Sequence, residues 1–412
     1  MDVQFKKIEG RSSGYIVTMA ILAAFGIAGV VATLVMHYKG LYLSGMSNRV
    51  PWGLQISMAI FYIGLSAGSL VVSGLYGVFG KMEYKPFARI AAYLAMLFLI
   101  AGLLSIFTDQ GRLDRVFTKP FTYVNATSMF SINPALYSGH IMICVLYLWA
   151  LFKEKGTLTK ITSLVVVLWA IGTHTGTGAI FAFVPRELYN SALLPPSFVA
   201  AALSSGAALM ILVIVGIFRF TGRHLDEELI IYLGRKLLSV FVVVTFYVLL
   251  IENAHRAYLS YSHEAGMFFL FGGVHSFMFW IGLITVGCVI PAILLFVRRT
   301  GTSVKWTVVA STLVVVGVLF ERFLIVIPGL IHPPELFPGW EIVGEGVGGI
   351  AAYVPTYLEV LQTLGVIGVI GFAFLLGLKV MPMAPLEARW STPEEQTALA
   401  KAAAKALRPQ RA

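Results

Sequence analysis

Ten long apolar stretches dominate this 412-residue chain and limit the folds open to it. A helix needs roughly 20 apolar residues to cross a bilayer, and each stretch is near that length. Hydrophobic residues make up 58% of the chain and charged residues only 12%, whereas a soluble domain carries about 25% charge. We therefore predict an all-α, polytopic membrane protein. The predicted spans cover residues 14–37, 53–79, 87–108, 135–152, 161–183, 196–219, 232–256, 266–297, 304–328 and 353–378.

The same stretches and the cysteines exclude several other classes of protein. Strands of an outer-membrane barrel would alternate with a period of two over about ten residues, which these stretches do not. Cys144 and Cys288 lie inside apolar stretches without a C-x-x-C partner, which argues against structural zinc, an iron–sulfur cluster or c-type haem in this chain. His140 and His275 could face each other as haem b ligands, but no helix carries the two well-spaced histidines of a typical cytochrome b. We therefore predict a chain without haem or metal.

The distribution of basic residues predicts the orientation in the membrane. Of the 30 lysines and arginines, 22 lie on the side that carries both termini, 7 lie on the other side, and Arg322 lies within a span. Cytoplasmic loops carry such an excess, so both termini are predicted to be cytoplasmic. The net charge of +10 is then a topology signal and does not indicate nucleic-acid binding.

Two segments outside the predicted spans have a character of their own. Residues 329–352 form an outer loop rich in Pro and Gly, with three glutamates and no Lys or Arg, which predicts an ordered cap or docking surface. Residues 391–395 read Ser-Thr-Pro-Glu-Glu, a helix start. We divide the chain into a transmembrane domain, 1–383, and a cytoplasmic tail, 384–412.

Ionisable residues in the predicted spans crowd toward the outer side. Charged groups are costly in a bilayer, so their depth is informative. Seven of the eight histidines lie in the outer half or in outer loops, whereas the inner halves carry hydroxyls without a carboxylate or His. Four acids lie near the outer ends of predicted spans 3, 7, 9 and 10, namely Asp109, Glu252, Glu321 and Glu359. This asymmetry predicts one chemical site near the outer face.

A short internal repeat relates two groups of spans. Leu-Ser-Ala-Gly at 65–68 and Leu-Ser-Ser-Gly at 203–206 each follow a proline at the outer end of a span. The next span in each group ends in an acid followed by an arginine. Unless this similarity is due to chance, it predicts two four-helix bundles, spans 2–5 and 6–9, flanked by spans 1 and 10. Small residues such as Gly64 and Gly68 would let the helices approach closely.

Two groups of charged residues each have a structural and a functional interpretation. Asp109 and Arg112 could form an interfacial ion pair, or the acid could accept a proton beside a substrate. Glu252, His255 and Arg256 share one helical face and are either a solvated rim or part of a site.

The deeper charged residues need partners. Glu321 and Arg322 point about 100° apart, so each needs a partner from another helix, in an ion pair or a proton path. Glu359 is a further candidate for such a path.

Two histidines are the sharpest candidates for chemistry. His140 is predicted to open span 4, and His174 lies in a Gly/Thr-rich segment, 172–178, that predicts a break in span 5 where a ligand could reach the backbone. A neutral imidazole can hydrogen-bond a quinone carbonyl and exchange a proton near pH 7. The alternative is a histidine satisfied by a neighbouring Thr or carbonyl.

Several strings, in this order, resemble the NrfD/PsrC family of membrane subunits. They are Pro-Trp-Gly at 51–53, Gly-Leu-Ser-Ala-Gly-Ser at 64–69, Ala-Gly-Leu-Leu at 101–104, Asp-Gln-Gly-Arg at 109–112, His-Thr-Gly-Thr-Gly-Ala at 174–179, Ser-Ala-Leu-Leu-Pro at 191–195 and Ala-Leu-Ser-Ser-Gly at 202–206. The resemblance covers spans 2–9, with a signature region of about 50–330. Gln110 and Leu113 depart from the family's Leu and Pro.

The resemblance implies a quinone-interacting membrane subunit of a respiratory oxidoreductase complex in a bacterial or archaeal cytoplasmic (inner) membrane. Ten spans are similar to the branch with the membrane subunits of hydrogenase-2, the quinone reductase complex, the Dsr complex and alternative complex III. Menaquinone or ubiquinone would bind near the outer face of a chain without a cofactor of its own. Electrons would pass to or from a ferredoxin-like [4Fe–4S] subunit on that face, with further redox subunits beyond it, so the chain would not be active alone.

Matching motif positions assign the site residues that this resemblance implies. Trp52 and Gln55 would line the quinone pocket, Asp109 and His140 would handle protons, and His174 would be a third polar group. Arg112 and Thr175 belong to the same motifs and are counted as quinone-binding. Glu252, with a catalytic role, and Arg256, in quinone binding, are added from their depth alone.

Two other functions fit parts of the sequence. A secondary transporter also has many spans, an internal repeat and embedded charges, but it would place its site at the midplane with polar access from both faces. A structural anchor for a partner enzyme would need no chemistry. The one-sided polar residues favour the quinone function and predict that its protons are exchanged on the outer side without pumping. A hydroxyl wire through Ser69 or Ser311 is the alternative.

Overall fold

The computed structural model describes residues 4–10, 12–116, 118–332 and 350–388. Within these residues, ten helices are long and apolar enough to cross a membrane, which confirms the predicted all-α, multi-pass class. They are called spans 1 to 10 in chain order. Their bounds are Ser13–Lys39, Leu54–Gly77, Met82–Asp109, Met129–Phe152, Gly156–Ala182, Leu194–Thr221, Glu227–Tyr258, Gly273–Phe296, Val304–Ile331 and Tyr357–Val380.

Some spans are composite, and shorter elements join them. Span 3 begins with a 3₁₀ turn, Met82–Tyr84, and spans 7 and 8 contain π-helical segments at Leu233–Leu238 and Met278–Val289. Between the spans lie the short helical segments Leu41–Leu43, Leu113–Val116, Lys119–Thr122, Ser260–Ser262, His263–Phe271 and Arg298–Gly301. The two-residue strands are Phe5–Lys6, His224–Leu225, Ala384–Pro385 and Glu387–Ala388.

The starts of spans 4 and 8 differ most from the prediction. Span 4 begins at Met129, with Pro134 inside the helix. Pro134 has no N–H to donate to the Phe130 carbonyl, and the Asn133 side chain beside it donates to the Met129 carbonyl at 2.8 Å. The predicted span 8 merged two helices. Gly273, at φ +63°, separates the short helix His263–Phe271 from the span.

The predicted break around His174 is wrong. Span 5 is one continuous helix, Gly156–Ala182. The Thr173 and Thr177 hydroxyls donate to carbonyls four residues earlier, at 2.8 and 2.7 Å. The threonine hydroxyls therefore have their hydrogen-bond acceptors within the same helix. The glycines of this segment allow neighbouring helices to pack closely and do not kink the span.

The spans form the two predicted bundles. Spans 2–5 pack around one another, as do spans 6–9, and the bundles meet mainly through spans 2 and 6. At this contact Gly68 faces Gly206, and a Cβ added to Gly206 would collide with the Gly68 backbone and lie 2.6 Å from the Ser69 nitrogen. The short repeat around Gly68 and Gly206 therefore marks the place where the two bundles touch.

Spans 1 and 10 flank the bundles, as predicted, and they also pair with each other. Span 1 packs chiefly on span 10, which in turn packs on span 3. The backbones of Gly29 and Gly365 touch, leaving no room for a side chain at either position. Much of span 1 is therefore left facing outward, with exposed apolar residues such as Ile27 and Val30.

The two ends of the described chain lie at the same face of the bundle. Phe5–Lys6 pairs antiparallel with Ala384–Pro385, and His224–Leu225 pairs parallel with Glu387–Ala388. Arg223 donates to the carbonyls of Lys7, Ala384 and Pro385. We call this the terminus face. The opposite, distal face carries the starts of even-numbered spans and the ends of odd-numbered spans.

Predictions about the last outer loop and the chain ends stay untested. The acidic loop lies outside the described residues from 333 to 349, and the tail does so from residue 389. The cytoplasmic placement of both termini and the boundary between domain and tail stay predictions.

Candidate functional site

Polar side chains between the distal face and the middle of the bundle form two clusters. The first, which we call the distal network, joins spans 2, 3 and 10. The second, which we call the buried cluster, joins spans 4, 5, 7 and 9. The distal network comprises Gln55, Asp109, Tyr353 and Glu359, and the buried cluster comprises His140, His174, Glu252, Arg256, Glu321 and Arg322.

Glu359 is the most heavily bonded residue of the distal network. It is the third residue of span 10 and forms a capping box with Thr356. One carboxylate oxygen accepts from the Tyr353 hydroxyl at 2.7 Å, and the other accepts from the backbone N–H groups of Gly45 at 2.8 Å and Thr356 at 2.9 Å. These bonds suit a fixed carboxylate, so Glu359 has the geometry of an anchor.

Gln55 links the first turn of span 2 to spans 3 and 10. Its side-chain nitrogen donates to the Glu359 carbonyl at 2.7 Å and to the Thr363 hydroxyl at 3.2 Å, and its oxygen accepts from the Thr108 hydroxyl at 3.4 Å. Gln55 is 1% exposed. Its orientation is therefore fixed from three directions.

Asp109 ends span 3 and differs from Glu359. It is 8% exposed and close enough to Glu359 for the two carboxylates to interact electrostatically. Among the described residues its carboxylate has no hydrogen-bond or ion-pair partner. An unengaged carboxylate at the rim of the site can accept a proton.

Arg112 does not pair with Asp109. It is exposed and forms a two-pronged ion pair with Asp114, at 2.9 Å and 2.8 Å. The hydrogen bond from Arg112 lowers the pKa of Asp114 to about 2. The structure therefore leaves Arg112 outside both clusters.

Aromatic rings close one side of the distal network. Trp52 packs against Phe130 and Phe181, with ring centroids 5.7 Å away in both cases. The Tyr353 hydroxyl accepts from the Leu54 N–H at 2.6 Å. Burial and the bond to Glu359 raise the pKa of Tyr353 above its usual range, so it keeps its proton.

His140 and His174 lie in the buried cluster. His140 is fully buried and halfway along span 4, because that helix begins earlier than predicted, and neither ring nitrogen has a hydrogen-bond partner among the described residues. In His174, Nδ1 lies 3.1 Å from the Ala170 carbonyl, and Nε2 has no such partner. His140 and Arg322 both lie near enough to act electrostatically on His174. Thr175, by contrast, is exposed on the outside of the bundle.

Arg322 is fully buried between the bundles. Its guanidinium lies over the Phe198 ring, 4.3 Å from the centroid, and none of its three nitrogens has a hydrogen-bond partner among the described residues. Glu321 lies 3.9 Å away, which is an ion pair without a hydrogen bond. We predicted a partner from another helix for each of the two residues. Arg322 has one, the Phe198 ring of span 6, whereas Glu321 forms its ion pair with Arg322 of its own helix.

Glu252 and Arg256 form the tight ion pair of the buried cluster. Arg256 Nη2 donates to Glu252 at 2.6 Å, while His255, predicted on the same face, is exposed. A cavity of about 30 Å³ lies beside them and is also lined by Asn253 and Glu321. The sequence pattern predicted Glu252, His255 and Arg256 on one helical face. In the structure only Glu252 and Arg256 belong to the buried cluster.

Some polar residues were missed or misjudged from the sequence. Gln362 donates to the Thr108 carbonyl at 3.3 Å, and its spacing from Glu359, with Thr363, would have marked a polar face on span 10. The prediction that the inner halves lack carboxylates needs a correction, since Glu83 is 4% exposed at the start of span 3 on the terminus face. It lies in a 3₁₀ turn that hydropathy assigns to a loop.

The described residues contain no group of three or more His, Cys, Asp or Glu side chains placed to hold a metal ion. Cys144 and Cys288 are buried free thiols in different bundles. Their separation leaves neither bundle with a pair of thiolate ligands.

Comparison with a family model gives one match. The model described as polysulphide reductase, NrfD, matches residues 42–334. This range runs from the segment before span 2 to the end of span 9, so it contains both bundles and leaves out spans 1 and 10.

Three curated proteins show how far the similarity extends. The Hdr-like menaquinol oxidoreductase integral membrane subunit of Archaeoglobus fulgidus is 40% identical over 96% of this chain and 100% of its own length. A selenate reductase subunit of Mesobacillus selenatarsenatis is 28% identical over 88% of this chain and 93% of its own length. The menaquinone reductase integral membrane subunit of Nitratidesulfovibrio vulgaris is 21% identical, with 91% of this chain and 93% of that protein covered.

Proposed function

The chain belongs to the NrfD family, and on this basis we propose that it is the quinone-interacting membrane subunit of a respiratory oxidoreductase complex. The observation that carries the proposal is the pair of buried imidazoles, His140 and His174: both ring nitrogens of His140 and Nε2 of His174 have no hydrogen-bond partner among the described residues. They lie in a chain 40% identical to a protein named as a menaquinol oxidoreductase subunit. A quinone needs an apolar slot and a few polar groups at its head. Menaquinone is the preferred substrate and ubiquinone the second choice.

The proposed proton transfers use side chains that have no hydrogen-bond partner, within the described part of the chain, on at least one polar atom. Oxidation of one quinol yields one quinone, two electrons and two protons. Asp109 can accept one proton, because its carboxylate is unengaged and partly exposed. The second proton needs a further acceptor, which a neutral imidazole of His140 or His174 can be. Quinone reduction runs the same steps in reverse, with Trp52 and Gln55 as pocket wall.

The electrons need a partner outside this chain. Cys144 and Cys288 lie in different bundles and supply no cluster ligand set. We propose a ferredoxin-like subunit with [4Fe–4S] clusters, docked at the distal face near the distal network, with further redox subunits beyond it. The relatives' names, each that of a subunit of an oxidoreductase, support such an assembly.

The orientation belongs to the same proposal. With the termini in the cytoplasm of a bacterium or archaeon, the distal face is extracytoplasmic, and quinol protons leave on that side. The basic terminus face supports this orientation.

The test uses the complex purified with its native partners. Bound quinone is extracted and quantified, and haem and metal are assayed on the isolated chain. Oxidation of a soluble menaquinol analogue, 2,3-dimethyl-1,4-naphthoquinol, is followed with an artificial acceptor. We expect bound quinone and quinol-dependent turnover, with no haem b spectrum from this chain. Solute uptake into liposomes without quinol would instead support a transporter, and inactivity with normal partner assembly would support a structural anchor.

A further inference from the structure

Part of the distal network comes from outside the family-matched region. That region ends at residue 334. Tyr353 lies just before span 10, and Glu359 lies in its first turn. They nevertheless bond directly to the start of span 2, inside the matched region, at Leu54 and Gln55. An element outside the family model therefore helps to build the site.

The Tyr353 hydroxyl is central to this contact. It accepts the Leu54 N–H and donates to Glu359, so one oxygen joins the first turn of span 2 to the first turn of span 10. The first N–H groups of a helix lack acceptors within the helix, and the Tyr353 hydroxyl is the acceptor for the Leu54 N–H. A Cβ added to Gly53 would lie 2.5 Å from the Tyr353 hydroxyl and 2.8 Å from Glu359 Oε1. A side chain at position 53 would therefore displace the Tyr353 hydroxyl or the Glu359 carboxylate.

We propose that Tyr353 and Glu359 form a clamp that fixes the first turn of span 2, and with it Trp52 and Gln55, in the position that binds the quinone head group. This inference rests on the proposed quinone function. Both members are positioning residues, since their polar atoms are engaged with protein groups. Asp109 belongs to span 3, so the clamp governs binding more than proton transfer.

The bonding pattern explains why the clamp holds. The Glu359 carboxylate is 1% exposed and accepts from Tyr353, Thr356 and the Gly45 backbone. Hydrogen bonds to a charged, buried acceptor are stronger than neutral ones. Removing the Tyr353 hydroxyl leaves the Leu54 N–H and one carboxylate oxygen without that partner. The first turn of span 2 can then shift relative to span 3.

The experiment compares Tyr353→Phe and Glu359→Gln with a matched control, Tyr357→Phe. Tyr357 is 74% exposed and lies four residues beyond Tyr353, so its variant removes a hydroxyl from the same segment without touching the network. In the full complex, we expect both clamp variants to raise the KM for the naphthoquinol analogue about tenfold, the effect of losing one strong hydrogen bond. We expect kcat to stay within about twofold. The control should match the parent protein.

A binding measurement separates the clamp from turnover. Fluorescence quenching of the quinol analogue 2-heptyl-4-hydroxyquinoline N-oxide should show the same loss of affinity. The losses of affinity in the double variant should be less than additive, because both single changes weaken the same contact between Tyr353 and Glu359. Lower thermal stability with unchanged KM and inhibitor affinity would overturn the clamp, as would additive effects. If the parent complex neither oxidises the quinol nor binds the inhibitor, the proposed function itself fails.

Discussion

At the scale of single residues, the described structure holds several buried charges with few partners. Arg322 and Glu321 are 0% and 1% exposed, and the distance between them is 3.9 Å. Burying an ion costs several kcal/mol unless other groups compensate it. A site that must bind a polar head group inside a membrane gives a reason to keep such groups. The sequence revealed that these residues are embedded, but their partners depend on helix rotation, which one chain's periodicity does not determine.

Replacing His140 tests the proposed chemistry. His140→Ala removes an imidazole that has no hydrogen-bond partner among the described residues, so the fold loses packing but no bond seen there. Positioned acid–base groups contribute about 10² to 10⁴ in rate, and we expect quinol turnover to fall at least about 100-fold with normal assembly. His255→Ala is the control, since His255 is exposed on span 7. Unchanged turnover in His140→Ala would remove this residue from the mechanism.

Replacing Arg322 tests the buried ion pair. Arg322→Met leaves the Glu321 charge without its nearest cation, and breaking a buried pair costs about 3–5 kcal/mol. We expect a clear drop in the melting temperature of the detergent-solubilised protein. Glu321→Gln combined with Arg322→Met should recover much of the loss, because no lone charge remains. Equal melting temperatures for Arg322→Met and the parent would argue against an energetic link between the two residues.

At the scale of helices, glycine contacts determine which spans touch. Hydropathy located ten spans, and most bounds lie within about five residues of those observed, because length and apolarity are local properties. Hydropathy misplaced the start of span 4 because Pro134, a residue type that normally ends a helix, lies inside this one. It also misplaced the start of span 8 because two helices meet near Gly273 without a polar loop between them. The error at the start of span 4 also placed His140 too close to the distal face in the prediction. Of the repeat, Gly68 marks a bundle contact, while Gly64 lies beside Arg322.

Two glycines on span 6 make a matched test of the bundle contact. A Cβ at Gly206 would collide with the Gly68 backbone, whereas a Cβ at Gly216 would meet nothing within 4 Å. Gly206→Ala should destabilise the protein by about 1–3 kcal/mol, as overpacking does, while Gly216→Ala should be neutral or slightly stabilising. Thermal unfolding in detergent measures both. Similar melting temperatures for the two variants would contradict the close contact.

At the scale of the whole molecule, the two faces differ in chemistry. The distal face carries the unengaged Asp109, whereas near the terminus face the hydroxyls of Ser69 and Ser311 donate to carbonyls of their own helices. These bonds tie both hydroxyls to the backbone of their own helices. Among the described residues, Glu83 is a buried carboxylate on that side. The distribution favours proton exchange at the distal face.

Cysteine labelling tests the orientation. Val354 is 74% exposed at the distal face and Phe79 is 73% exposed at the terminus face, while the native Cys144 and Cys288 are buried and give little background. In intact cells, a membrane-impermeant maleimide should label Val354→Cys and should label Phe79→Cys only after permeabilisation. The reverse pattern would invert the assigned orientation.

Proton accounting tests the energy coupling. In liposomes with a defined quinol and the partner complex, we expect the two quinol protons to appear on the distal side without uptake from the terminus side. Protons per electron are measured on each side with membrane-impermeant pH dyes. Uptake from the terminus side that is abolished by Ser69→Ala, Ser311→Ala or Glu83→Gln would contradict this expectation.

The pairing of span 1 with span 10 has a consequence for biosynthesis. Span 1 packs chiefly on a helix that is made last among the ten, so it enters the membrane about 320 residues before its partner. At about 5–20 residues per second, it spends roughly 15 to 60 s beside lipid or the insertion machinery. A helix in that position must tolerate lipid on every side, and its interior is free of charged residues. Span 10, the last helix to be made, therefore packs on the first helix and contributes Glu359 to the distal network. The network can be complete only after span 10 has been synthesised.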